Sequence, residues 1–208
     1  KLLCRLYDVT DGEILINGEN IQAYTKESIT ALYSVVFQDF KIFSVPLRDT
    51  VCAGSAFDRD KLYTCLENAN IKERVECLPH QENTYLYKDL NKGGVEISGG
   101  EAQKLALARA LYKDAPVVVL DEPTAALDPI AENQLYLKYS ELTDGKLSFF
   151  ISHRLSSTRF CDRILFMSGG QITEMGTHEE LMAKKGAYYK MFQVQSYYYR
   201  EQGVAVHA

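Results

Sequence analysis

The stretch Ile97-Ser98-Gly99-Gly100-Glu101-Ala102-Gln103, followed by Val117-Val118-Val119-Leu120-Asp121-Glu122-Pro123, decides how this chain is read. The first half opens a helix. Ser98 and Glu101 have the spacing of a capping box, in which each side chain accepts a backbone N–H that the helix leaves unpaired. That is an ordinary helix start, but a cap needs no glycine, and here there are two in succession. They remove side chains where a backbone must approach something closely, and the helix end behind them carries about half a positive charge, suited to a phosphate. The second half is apolar throughout, as expected of a parallel strand covered by helices on both faces. It ends in Asp121-Glu122, and the ends of such strands are where open α/β sheets bind ligands. An acidic residue there also caps a turn, which is the plain reading; as a pair, the two suit a divalent metal and a water to be activated.

Outward from this stretch, residues 101–112 read as a helix presenting Leu105, Ala108 and Leu111 on one face, and Pro116 stops it. Upstream, residues 58–68 and 71–78 have helical spacing, with Leu62, Cys65, Leu66 and Ala69 in register, so residues 52–112 read as a mostly helical subdomain. Val35-Val36-Phe37 is a short buried strand ending at Gln38, and residues 40–51 read as a loop broken by Pro46. Asp11-Gly12 and Asn17-Gly18 bracket Glu13-Ile14-Leu15-Ile16 as an antiparallel ribbon. Residues 1–7 begin without methionine and read as the middle of a helix, so the sequence is expected to be cut at its N-terminus. Downstream, Asp128-Pro129 opens a helix to about residue 142. Residues 147–152 form a second buried strand ending at His153, and residues 163–167 and 171–175 pair around Gly169-Gly170. Thr177 and Glu180 repeat the capping box, Gly186 interrupts the closing helix, and Tyr197-Tyr198-Tyr199 belongs to an amphipathic tail. His178 has only a capping-turn reading. No internal repeat or low-complexity linker is present.

At 208 residues and 46% hydrophobic content the chain can bury a core as one domain. A formal charge of −5 supplies no basic field for nucleic acid. Five cysteines, without C-x-x-C spacing, fit a reducing compartment better than a disulfide framework. The apolar runs are far shorter than the roughly 20 residues a membrane span needs.

The segment from Ser98 to Gln103 resembles the signature sequence of the ATP-binding-cassette (ABC) ATPases, and Asp121-Glu122 resembles their Walker B end. Gln38 stands where that family has its Q-loop glutamine. Ala126-Leu127-Asp128 resembles the D-loop and Ile151-Ser152-His153-Arg154-Leu155 the H-loop. The five motifs occur in the family's order across nearly the whole chain. Residues 43–50, Ser152-His153-Arg154-Leu155-Ser156 and Gly176-Thr177-His178-Glu179-Glu180-Leu181 look most like exporter-type cassettes.

The resemblance implies an α/β fold with a P-loop NTPase-type parallel sheet, an antiparallel ribbon and a helical subdomain, spanning residues 1–208 as one partial cassette. It implies ATP and Mg2+ as cofactors, Glu122, His153 and Gln38 as catalytic residues, and Asp121 with Gln38 at the metal. Ser98, Gly99, Gly100, Glu101 and Asp128 would serve an ATP shared with a second cassette, identical or different. The further partner is a transmembrane domain, met by the segment after Gln38 at the cytoplasmic face of the membrane; no nucleic acid is implied.

Three departures stand out. No G-x-x-x-x-G-K-[ST] loop occurs anywhere in the sequence. Glu101 replaces the commoner glutamine, adding negative charge near a site for ATP. Lys92-Gly93 stands where exporter cassettes usually show an acidic residue before the signature. The alternatives are a soluble ABC ATPase acting on ribosomes or DNA, whose basic linker or long coiled coil is absent here, and a non-hydrolysing regulatory cassette. Glu122 and His153 argue against the latter, and the missing loop argues for it.

Overall fold

Three valines and a leucine make strand β4, Val117–Asp121, the centre of a parallel sheet in the computed structural model, with β3 (Tyr33–Val36) on one side and β5 (Leu147–Ile151) on the other. The structure describes residues 1–123, 139, 143 and 145–201, with backbone only at 156, 157 and 198–201. It divides into two compact units, residues 1–126 with 141–151 and residues 127–140 with 152–208.

In the first unit β4 is buried, as its unbroken apolar run predicts: Leu120 is fully covered, and Val119 packs with Ile21, Ile29 and Tyr33. Ile29 comes from α1 (Lys26–Leu32), whose start is capped by the Thr25 hydroxyl. Before it, β1 (Leu15–Ile16) and β2 (Glu19–Asn20) pair across Asn17-Gly18. Both turn residues have positive φ, 52° and 85°, as this tight hairpin requires.

Strand β5 differs from the expected buried strand. Its alternate side chains Leu147, Phe149 and Ile151 are exposed, because no described element covers that face. Residues 1–7 also differ: they form turns, with Arg5 at φ 51° and Leu6 N–H bonded to the Lys1 carbonyl at 3.1 Å.

The other side of the sheet carries α5 (Gly99–Lys113), which packs on β3 and on two helices ahead of it in sequence, α2 (Leu47–Cys52) and α3 (Arg59–Asn68). Residues 40–51 are therefore not all loop. Pro46 sits at the N-cap of α2, where its missing N–H costs nothing, and its carbonyl accepts from Asp49 and Thr50 at 3.0 and 3.1 Å. Leu47, Thr50 and Val51 then face the core at helical spacing. A shorter helix, α4 (Lys72–Glu76), is anchored by buried Val75. Tyr112 of α5 ties the group together, its hydroxyl accepting Asp58 N–H at 2.8 Å and donating to the Ala56 carbonyl at 2.6 Å.

The second unit is built on the ribbon of β6 (Ile164–Ser168) and β7 (Gln171–Gly176), turned by Gly169 and Gly170 at positive φ. Helix α6 (His178–Lys184) begins with the expected Thr177–Glu180 capping box. Helix α7 (Ala187–Glu201) is capped by the Glu174 carboxylate, which accepts the N–H groups of Ala187 and Tyr188. A Cβ at Gly186 would stand 2.2 Å from Glu174 Oε1 and push this capping carboxylate away. Leu155, Ile164, Leu181 and Tyr188 form the core. The helix expected from Asp128 lies outside the described residues except for Tyr139, which is helical and buried.

Tyr188 is fully buried, yet its hydroxyl is satisfied. Thr158 donates its proton to the Leu155 carbonyl at 2.8 Å, so Tyr188 donates to Thr158 Oγ1 and accepts from His178 Nδ1–H, both at 2.8 Å. His178, which the sequence offered only as a capping-turn residue, is thus a core partner. Tyr188→Phe keeps the ring but leaves His178 Nδ1–H without its acceptor and Thr158 Oγ1 without its incoming donor, so it is expected to lower stability by about 1–3 kcal/mol in urea unfolding. A loss below about 0.5 kcal/mol would show that the hydroxyl bridge contributes nothing.

Candidate functional site

The end of β4 carries backbone strain. Glu122 adopts φ +48°, a left-handed conformation that costs a non-glycine residue of order 1–3 kcal/mol and is typically kept only where surrounding contacts enforce it. Three such contacts are present. Its N–H donates to the Ile151 carbonyl of β5 at 2.9 Å, its carbonyl accepts from Gln103 Nε2 at 3.3 Å, and its carboxylate accepts from Gln38 Nε2 at 3.1 Å. Gln38 and Glu122 are 84 positions apart and meet because β3 and β4 are parallel neighbours that end on the same side of the sheet.

Asp121, the last residue of β4, is partly buried. That burial, and next the adjacent Glu122 carboxylate, push its pKa above the ordinary range. A divalent cation would relieve both effects. Gln38 uses its nitrogen on Glu122, which leaves its amide oxygen as a second hard donor beside the carboxylates. The donor set therefore fits Mg2+, which is usually held by one or two carboxylates together with substrate phosphates and water. No cluster of three or more His, Cys, Asp or Glu suited to a fully protein-bound metal occurs among the described residues.

The start of α5 is the second centre. Ser98 Oγ accepts Glu101 N–H at 3.2 Å, and Glu101 Oε2 accepts both the Ser98 N–H at 2.7 Å and its hydroxyl at 2.9 Å. Arg74 Nε of α4 donates to the other oxygen, Oε1, at 2.6 Å. The Ser98 N–H first, then Arg74 and the Ser98 hydroxyl, hold the Glu101 pKa below its ordinary value against the opposing effect of burial.

Among the described residues, Gly99 has no neighbour that requires a glycine. A Cβ there would meet nothing within 4 Å, although alanine favours a helix by about 1 kcal/mol. Gly94, just before the signature, has an internal reason instead, because a Cβ would lie 1.8 Å from the Tyr87 carbonyl oxygen. Immediately before Gly94, Lys92-Gly93 follows Asn91, whose side chain accepts Gly93 N–H at 2.9 Å in a tight turn.

The structure thus joins Gln38 with Glu122 and Ser98 with Glu101, and it gives α5 a hold on both centres through Gln103. Gln103 was not singled out by the sequence reading. Its signal is a polar residue on an otherwise apolar helix face, buried with Ala102 and Ala106. His153 belongs to the second unit and is exposed; its carbonyl accepts from Gln195 Nε2 at 2.7 Å, and Gln195 Oε1 accepts Leu155 N–H at 2.8 Å. Gln195, another residue the sequence did not mark, therefore holds the backbone on both sides of Arg154. Asp128 lies outside the described residues.

In the first unit a groove of about 610 Å³ opens beside Phe37, lined by Tyr33, Cys52, Ala53, Arg109 and Lys113 among others. Lys113 Nζ donates to the Thr30 carbonyl at 2.7 Å, and burial pushes the Arg109 pKa down. Phe43, on the segment after Gln38, is 67% exposed.

Residues 1–125 match the protein family described as ABC transporter. This chain belongs to the ABC transporter family. It is 37% identical over 195 residues to the ATP-dependent lipid A-core flippase of Paraburkholderia xenovorans (strain LB400), covering 94% of this chain and 32% of that protein. It is 38% identical over 193 residues to ABC transporter B family member 6 of Dictyostelium discoideum, covering 90% of this chain and 27% of the relative. The structure of a bacterial Atm1-family ABC exporter with ATP bound superposes with a TM-score of 0.86 at 31% identity, over 94% of this chain and 34% of that one. The chain therefore spans about a third of the length of the relatives it matches. The expected cassette fold, with its parallel sheet, ribbons and helices, is borne out.

The cap of α5 makes a pH-dependent contribution to stability. Folding lowers the Glu101 pKa, so its contribution is complete above the ordinary value of about 4.3 and is lost as pH falls through the folded value. Glu101→Ala is expected to cost about 1 kcal/mol at neutral pH, with the difference from the parent shrinking as pH falls below about 4.3. Urea midpoints at both pH values check this, and an unchanged difference at the lower pH would contradict it.

Proposed function

We propose that this chain is the nucleotide-binding domain of an ABC exporter, which binds and hydrolyses ATP with Mg2+ to drive transport by a membrane domain. The observation that carries the proposal is the strained Glu122 held beside Asp121 by Gln38, Gln103 and the β5 backbone. Residues 1–208 form the cassette, and residues 52–112 form the helical subdomain that ends in the signature helix. The names of the similar proteins, which include a flippase and an exporter, support the transport reading.

In this reading Glu122 accepts the proton of the attacking water as its oxygen bonds to the γ-phosphorus and ADP leaves. Gln38 orients that carboxylate and, with Asp121, offers oxygen to the metal. Bound Mg2+ would neutralise charge on the transferring phosphoryl group. His153 contacts the γ-phosphate. Ser98, Gly99, Gly100 and Glu101 complete the site of a second cassette, which gives Gly99 the external reason it lacks within its own chain. Asp128 acts where the two cassettes meet. No described helix is long and apolar enough to cross a membrane. The membrane domain instead docks in the groove beside Phe37 and on the exposed Phe43 segment, at the cytoplasmic face.

The 208-residue chain contains no phosphate-cradling loop and alone should release phosphate only at background. In the intact transporter, hydrolysis should be Mg2+-dependent, and Glu122→Gln should slow it by about 10²-fold or more while ATP binding survives. Full turnover by Glu122→Gln would remove the assigned base. Phe43→Cys should crosslink to cytoplasmic loops of the membrane domain. Failure to crosslink, together with robust ribosome or DNA binding, would overturn the exporter reading.

A further inference from the structure

Glu101 poses an electrostatic problem for the proposed site. It stands in the first turn of α5, whose amide groups are the part of this cassette presented to phosphate, and an uncompensated carboxylate there repels the ligand that the helix end attracts. The structure supplies the compensation from another helix. Buried Val75, together with Ile71 and Leu78 flanking α4, fixes that helix in the core and leaves the neighbouring Arg74 side chain 45% exposed, with its Nε 2.6 Å from Glu101 Oε1. The second oxygen, Oε2, is turned back onto Ser98 N–H and Ser98 Oγ. Both carboxylate oxygens are thus engaged on the protein side, one by a cation.

We infer that Arg74 is a positioning residue for the signature: its guanidinium neutralises Glu101 and holds it folded back on Ser98, so that the start of α5 meets the nucleotide without net negative charge. This rests on the proposed reading that α5 faces ATP. The rival role is purely structural, although ion pairs this exposed often add little to stability. The two roles separate in the ATP dependence. Neutralisation acts on ligand affinity and depends on Glu101 being charged, whereas a structural pair acts on folding alone.

The experiment uses the intact transporter with R74M, R74K, E101Q, the R74M/E101Q double variant and S98R, comparing ATP KM, kcat and thermal midpoint. R74M is expected to raise KM about 3- to 30-fold with kcat changed less than about twofold, and R74K to raise it less. The penalty should shrink as salt is added. In the E101Q background R74M should have no further effect on KM, because no charge is left to neutralise. An unchanged KM in R74M, or the same KM penalty with and without E101Q, overturns the role of Arg74. S98R separates this from the underlying reading. If S98R abolishes hydrolysis while R74M leaves KM alone, the trans site stands and Arg74 is only structural. If S98R hydrolyses ATP normally, the trans site itself is wrong and the inference falls with it.

Discussion

Parallel pairing of β4 with β3 and β5 is the constraint on which the rest depends. Three strands running the same way end on one side of the sheet, and each end leads to a residue of the proposed chemistry. Gln38 lies two residues past β3, Asp121-Glu122 closes β4, and β5 continues in sequence to Ser152 and His153. The β4 backbone alone does not aim Glu122. Its left-handed turn is held by one N–H to β5 and one carbonyl to Gln103, so a strained conformation rests on a sheet and a helix that are both fixed by the core.

Helix α5 has two roles that its sequence keeps apart. Its body, with Ala102, Leu105, Ala106 and Ala108, is buried against β3, α2 and α3, and small side chains allow that close packing. Its first turn is polar and bare. Gly99 faces open space, while Ser98 and Glu101 satisfy each other. Gln103 lies next to the first turn and donates to the Glu122 backbone carbonyl, so a single rigid element both holds the β4 end and carries the Ser98–Glu101 cap. In the proposed reading, that link couples the residue assigned to hydrolysis with the surface offered to a second cassette.

Much of this was legible in the sequence because the signals are local. The apolar Val117–Asp121 strand, the two capping boxes and the Asn17-Gly18 and Gly169-Gly170 turns each follow from a few adjacent residues. The proximity of Gln38 and Glu122 followed only from pairing the strands that carry them. What was missed depends on distant partners. Helix α2 was hidden because Pro46 reads as a break until its carbonyl is seen capping the helix. The exposed face of β5 cannot be told from a buried one when Leu147, Phe149 and Ile151 are all apolar. Gln103, Gln195 and Arg74 act through contacts with residues 19 to 42 positions away, and no periodicity announces them.

The central claim is that Ser98 and Glu122 of one chain serve different ATP molecules. Pairing two cassettes with lesions arranged in two ways tests it most directly. If Ser98 acts in trans, a pair with S98R in one copy and E122Q in the other places both lesions in the same site and leaves the second site whole. A pair with both lesions in one copy damages both sites. The account predicts clear ATP hydrolysis from the separated lesions and little from the combined ones; the reverse order would show that Ser98 and Glu122 serve the same nucleotide and would contradict it.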